Sequence, residues 1–206
     1  MRLEKASYKA IKYACMKFHY AKRVPVARIA YSVFNNDNEW CGVIVYGSGA
    51  GSTVAKGYGL KQGQYCELVR VALNGKQEQT SKALSISLKL LKKDCPLLQL
   101  VYSYADIDEN HFGTIYQATN WIYIGSLDEY FSGYEINGKK CHPRTVATKL
   151  PKGVKMNFNN VRKYLDINAK EIYSLGKRRY VQVFNKKLLD KFMGMKKQYP
   201  KNASKA

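Results

Sequence analysis

The runs Glu67-Leu-Val-Arg-Val-Ala-Leu73 and Leu100-Val-Tyr-Ser-Tyr-Ala-Asp106, with the leucine-striped segment between them, decide how the chain folds. The first run is short, apolar and β-branched, and reads as a strand. Asn74-Gly75 opens a polar loop with a turn pair. Thr80 or Ser81 is expected to cap a helix whose buried stripe is Leu84, Leu88 and Leu91, at i, i+4 and i+7. Pro96 stops that helix. Gln99 to Tyr104 reads as a second strand and Gly113 to Trp121 as a shorter helix. Strand, loop, helix, strand and helix in this order suit a right-handed crossover that lays two strands parallel.

Working outward, Ala10, Ile11, Ala14 and Cys15 recur near helical spacing, which predicts a helix over Tyr8 to Phe18. Pro25 cannot continue it, so His19 and Tyr20 fall at its end or in the next loop. Arg28 to Phe34 and Trp40 to Tyr46 form an expected antiparallel hairpin across the turn-rich Asn35 to Glu39. Gly47-Ser-Gly-Ala-Gly51 lacks the G-K-[ST] ending and the G-x-G-x-x-G frame of phosphate cradles, and reads as a flexible loop. After Gly125 the pattern weakens. Ser132 to Gly138 looks like a hairpin turn, Met156 to Leu165 a polar helical piece, Lys177 to Phe184 a final strand, and Lys186 to Ala206 a lysine-rich, fraying tail.

The 206 residues suffice for one domain with a sizeable core. The expected division is a core over residues 1–138 and a basic segment over 139–206 that completes the fold. No apolar run approaches the roughly 18 to 20 residues of a membrane span, and Met1-Arg-Leu-Glu-Lys5 is unlike a secretion signal. The five cysteines are scattered and read as reduced thiols. Charge is the strongest compositional signal. Residues 1–138 carry 16 basic and 12 acidic side chains, whereas 139–206 carry 19 and 3. That imbalance points to a polyanionic partner, nucleic acid foremost.

The segment Gly113 to Trp121, running into Trp121-Ile-Tyr-Ile-Gly125, resembles the last helix and strand of the GNAT acyltransferase superfamily. The resemblance implies an α/β (α+β) fold: a GNAT acyltransferase-like central mixed sheet flanked by helices, with a basic C-terminal extension. It further implies that the strands at Glu67–Leu73 and Gln99–Tyr104 splay apart and admit an acyl donor between them.

Three segments together resemble the Mom family of phage DNA-modification proteins. They are Phe18-His19-Tyr20 ahead of a proline, Glu67-Leu-Val-Arg70, and Ser103-Tyr-Ala-Asp106 followed by His111-x-Gly113-Thr-Ile-Tyr116-Gln-Ala. The similarity covers roughly residues 13 to 125 and implies conversion of adenine in double-stranded DNA to N6-carbamoylmethyladenine, protecting phage DNA from host restriction. The setting implied is the cytoplasm of the bacterial host. The product joins N6 to a methylene, which simple acetyl transfer does not give.

In that light His19, Tyr20, Asp106 and Tyr116 are the expected catalytic set, and imidazole, carboxylate and phenolate together suit iron. Singly, Tyr116 is also a candidate general acid, Asp106 a strand-end cap, and His111 a substitute ligand or base, with His142 a surface residue. The donor is expected to be acetyl-CoA or another small acyl or glycine-derived compound. GNAT loops at its pyrophosphate site read Q/R-x-x-G-x-G/A, whereas this chain has Glu78-Gln-Thr-Ser81-Lys82-Ala83. Arg70, Ser81 and Lys82 are the candidate donor contacts. Arg70 has an ion pair with Glu67 as its alternative, and Ser81 a plain capping role. Lys177, Arg178, Arg179, Lys186 and Lys187 are the expected DNA contacts, with Tyr104 or Trp121 stacking on a flipped base. The competing function is a GNAT N-acetyltransferase using acetyl-CoA on a protein or small amine. A homodimer and a monomer both stay open.

Overall fold

A seven-stranded sheet, in the spatial order Arg2–Lys5, Ile29–Phe34, Trp40–Gly47, Tyr65–Leu73, Leu100–Asp106, Lys177–Val183, Ile122–Ser126, carries the candidate site. The computed structural model describes residues 1–48 and 57–201. Positions 49 to 51 of the glycine-rich stretch and 202 to 206 of the tail lie outside the described residues. Met1–Ala105, Phe112–Gly125 and Arg178–Ala206 form one compact unit; Asp106–His111 and Ser126–Lys177 form a second.

In the first unit, β1 (Arg2–Lys5), β2 (Ile29–Phe34), β3 (Trp40–Gly47) and β4 (Tyr65–Leu73) are successively antiparallel. β1 has too little alternation to be read from sequence and is held by its four-residue register with β2. α1 (Tyr8–Lys17) begins at Ser7, whose hydroxyl accepts the Ala10 amide, and buries Ile11, Ala14 and Cys15. α2 (Thr80–Asp94) buries Leu84, Leu88 and Leu91 as expected. Its cap differs. Gln79 holds that position without a side-chain hydrogen bond, and the Thr80 hydroxyl accepts from Gln77 instead.

β5 (Leu100–Asp106) runs parallel to β4, giving the expected mixed sheet, but only Tyr65, Cys66 and Glu67 are paired, opposite Leu100, Val101 and Tyr102. Past that point the strands part. The β3–β4 register shifts at Val45/Tyr46, so Val69 is an extra residue in β4, and such a bulge bends and twists its strand locally. The splay expected between these strands is present. The bulge falls in β4 just past the last paired residue, and the sequence does not announce it.

The helix expected over Gly113 to Trp121 is one turn, α3 (Thr114–Gln117). Gly113 stands before it at φ 73°, the Thr119 hydroxyl bonds back to the Ile115 carbonyl, and Asn120 turns left-handed, so the helix cannot extend. β6 (Ile122–Ser126) follows.

The second unit holds a three-stranded sheet, β8-β7-β9, of β7 (Tyr130–Ile136), β8 (Lys139–Cys141) and β9 (Lys170–Ser174). The expected hairpin turns at Asn137-Gly138, both with positive φ. With α4 (Pro143–Lys149) and α5 (Phe158–Tyr164) it encloses Tyr134, Ile136, Val146, Val161 and Ala169. The stretch after Gly125 is therefore more regular than its sequence pattern suggests.

β10 (Lys177–Val183) sits between β5 and β6 in the large sheet, and the Phe184 amide donates to the Gln99 carbonyl, so its end meets the start of β5. The expected fraying tail instead begins with α6 (Lys186–Gly194), capped by Asn185 and anchored by buried Phe192.

Candidate active site

The fork between β4 and β5 closes on a pair of hydroxyls. Where the ladder ends, the Leu68 carbonyl has lost a strand partner, and the Ser103 hydroxyl donates to it at 2.8 Å. Since that proton is committed, the Tyr116 hydroxyl, 2.8 Å from Ser103 Oγ, is the donor of that second bond. Tyr116 is held rigidly. Its ring packs against Trp121 and Tyr180 at 5.1 and 5.0 Å, and the Tyr180 hydroxyl donates to the Phe112 carbonyl behind Gly113.

Burial pushes the Tyr116 phenol up to about 12, the hydrogen bond shared with Ser103 pulls it down, and the Glu67 carboxylate adds to the rise. It is a neutral phenol near neutral pH. Glu67 occupies the last paired position and also raises Tyr102 and Tyr104, in each case after burial. Its carboxylate therefore lies amid three phenols at the fork. Sequence reasoning did not place Glu67 or Ser103 among the site residues. The only available signal was their position inside the two short segments that carry the family resemblance.

His19 and Tyr20 follow the end of α1, with rings stacked at 4.4 Å. His19 Nδ1 accepts the Ala21 amide at 3.1 Å, so the neutral imidazole carries its proton on Nε2. Asp106 ends β5, and its carboxylate accepts the Asp108 amide at 3.2 Å while its carbonyl accepts the His111 amide. This is the strand-end cap weighed for it from sequence. His111 is exposed, and His142 caps α4 through the Arg144 amide.

Arg70 donates to the Val69 carbonyl at 2.6 Å and lies near Cys15 of α1, while its buried Nε has no hydrogen-bond partner among the described residues. Ser81 and Lys82 stand in the first turn of α2. Glu78, the acidic residue of that loop, turns its carboxylate to the Asn36 amide at 2.6 Å, which leaves the uncapped helix start accessible to an anion.

Among the expected DNA contacts, Arg178 lies 4.5 Å over the Phe112 ring and Arg179 donates to the Ile124 carbonyl at 3.2 Å. Lys177 is half-buried, whereas Lys186 and Lys187 are exposed. Trp121 is fully buried in the core and cannot stack on a base, which corrects that expectation; Tyr104 is half-buried.

A family model described as the Mom protein family matches residues 1–201. The chain belongs to the Mom protein family. Methylcarbamoylase mom of Escherichia phage Mu is 30% identical to it over 128 residues, 60% of this chain and 49% of that protein. This Mom-family chain thus spans about half the length of the curated relative it matches. A protein assigned as a phosphinothricin N-acetyltransferase shares its fold at a TM-score of 0.50 and 7% identity, covering 90% of this chain and 99% of that one. A Bacillus subtilis acetyltransferase solved with CoA aligns at 0.47 and 11%, covering 89% and 99%. The GNAT-like fold expected from the sequence is borne out.

Iron finds no support in the donor set of this Mom-family protein. Tyr116 is a buried neutral phenol bonded to Ser103, and His19 Nδ1 is taken by a backbone amide. Among the described residues no three His, Cys, Asp or Glu side chains converge. Likewise, no helix among them is long and apolar enough to cross a membrane.

Proposed function

We propose that this Mom-family protein is a transferase that modifies the N6 amine of adenine in double-stranded DNA, forming N6-carbamoylmethyladenine and so protecting phage DNA from host restriction. The family match over residues 1–201 carries this reading. The fork supports it by supplying an acid and a base at one opening.

In the proposed step the N6 nitrogen attacks an activated methylene carbon, the bond to the leaving group breaks, and N6 loses one proton. Glu67 accepts that proton. Tyr116, neutral because it is buried, gives its own proton to the leaving group. His19, with its proton on Nε2, donates a hydrogen bond to an acceptor on the purine, and Tyr20 is exposed beside it to stack on the flipped base. Asp106, at the end of β5, contributes the negative charge of its carboxylate in this reading.

A glycine-derived donor would supply a two-carbon amide that carries its leaving group on the methylene, whereas acetyl-CoA, whose thiolate leaves a carbonyl, would give the acetamide of the competing reading. Donor phosphates would rest on the start of α2 at Ser81 and Lys82, with Arg70 as a further cation. Exposed Lys186 and Lys187 belong to the proposed DNA surface, and Lys177, Arg178 and Arg179 are further cations of the same reading.

Expression in a bacterium, digestion of its DNA and mass spectrometry of the nucleosides tests the reading. The expected product is an adenosine heavier by one carbamoylmethyl group, lost in His19→Ala and in Asp106→Asn. The asparagine keeps an oxygen for the Asp108 amide, so its loss of activity would report the charge and not the turn. An increment of one acetyl group would favour the acetyltransferase reading for DNA. Unmodified DNA from folded protein would sink the proposal.

A further inference from the structure

α1 buries Ile11, Ala14 and Cys15 against the sheet and turns its opposite face to solvent. That outer face is basic and aromatic. From Lys5 to Arg28, both included, the chain has seven basic residues and no acidic one. Lys5 pairs with Asp94, and the Lys22 ammonium donates to the Lys17 carbonyl. Lys9, Lys12 and Lys17 are exposed and make no ion pair among the described residues. Tyr8 and Tyr13 beside them are 69% and 52% exposed, and Tyr13 is braced by Phe18 and Trp40 at 5.8 and 5.9 Å.

The charge read along the chain is distributed differently in the fold. The unit containing α1 and the fork carries 25 basic and 7 acidic residues, against 10 and 8 in the other. The C-terminal excess thus divides between the two units. Within the first, α1 is the helix that leads directly into His19 and Tyr20.

We propose that the outer face of α1, through Lys9, Lys12 and Lys17, is a track for the DNA phosphates flanking the target base, delivering that base to Tyr20 at the helix end. This rests on the reading that DNA is the substrate. Lys9 to Lys17 spans about 12 Å at 1.5 Å per residue, the rise of roughly three to four base pairs at 3.4 Å each. Ammonium groups on one helical face can follow one strand over that length without reading sequence. Tyr20, 46% exposed at the end of the track, is available to stack on a base, as buried Trp121 is not.

The test is duplex affinity as a function of NaCl for the wild-type chain, for K9Q/K12Q/K17Q and for K186Q/K187Q on α6. With about 0.9 in slope for each phosphate contact, the triple variant should lower the slope of log K against log salt by about 2.7. Its affinity at 0.1 M salt should fall roughly 100-fold. Acetylation of surface lysines in the wild-type protein, with and without bound duplex, gives a reading independent of any variant's folding. Lys9, Lys12 and Lys17 should be protected. Unchanged slope in the triple variant, or equal acetylation of these lysines with and without DNA, overturns the track while DNA binding by the wild type stands. If the wild-type chain binds no duplex at all, the DNA reading fails, and the track with it.

Discussion

Deprotonating Tyr116 would place a phenolate in the core near the Glu67 carboxylate, which is why burial first and that charge second hold its proton. Tyr116→Phe keeps the ring packed against Trp121 and Tyr180 and removes only the hydroxyl. Loss of a general acid typically costs 10² to 10⁴ in rate, so modified adenosine should form roughly 100-fold more slowly or worse. The lost buried hydrogen bond to Ser103 should cost only about 1 kcal/mol in a urea titration. A variant that modifies DNA at the wild-type rate would remove Tyr116 from the chemistry. Tyr116 was legible as a candidate because it lies in a segment resembling the family. Ser103 and Glu67 lie in such segments too, but their roles were not legible, because the register that ends at Glu67 opposite Tyr102 is a property of two strands meeting.

The elements around the fork depend on a few backbone positions. Gly113 precedes α3 at φ 73°, and a Cβ there would lie 2.4 Å from a Tyr180 ring carbon. That ring cannot withdraw easily, since its hydroxyl donates to the Phe112 carbonyl and its faces meet Tyr116 and Tyr123. Left-handed strain and overpacking then act together, and Gly113→Ala should lose about 2 to 4 kcal/mol by chemical denaturation. It should also lower DNA modification, because α3 carries Tyr116. Wild-type stability in this variant would mean that the close packing at Gly113 is dispensable. Strand β4, helix α2 and strand β5 were readable from apolar spacing and proline. The one-turn α3 was not, since its length depends on Gly113, Thr119 and Asn120 acting through conformations that a periodicity cannot register.

For the molecule as a whole, buried acids with raised pKa values set an alkaline limit. Burial raises Tyr116 to about 12, and burial followed by Cys95 raises Cys66 to about 12. Tyr46 and Tyr102 are also raised, chiefly by burial. In the unfolded chain these groups release protons at ordinary thiol and phenol values, so the folded state binds more protons at alkaline pH. The stability they confer is present in full below about pH 9 and is lost as pH rises toward 12. Melting temperature should therefore hold through pH 8 and fall steadily between pH 9 and 12. In Cys66→Ala the fall should be shallower, because one of three buried thiols with raised values is gone while Cys15 and Cys41 remain. A melting temperature flat to pH 12 would contradict the burial that raises these groups.

Sequence by itself determined the main strands and helices, the excess of positive charge and the family resemblance. These are local properties: apolar spacing, proline stops, counts of lysine and arginine, and short runs of identical residue types. Only the tertiary structure decided where the strands of the fork part, because a bulge at Val69 matters through its pairing with β3. Tertiary structure also decided which tyrosine stays neutral, since burial is produced by the assembled core. It likewise decided where the charge gathers. Residues 178–206, with nine basic side chains and one acidic, join the amino-terminal strands in one unit, so that part of the carboxy-terminal charge and the basic face of α1 belong to the same unit.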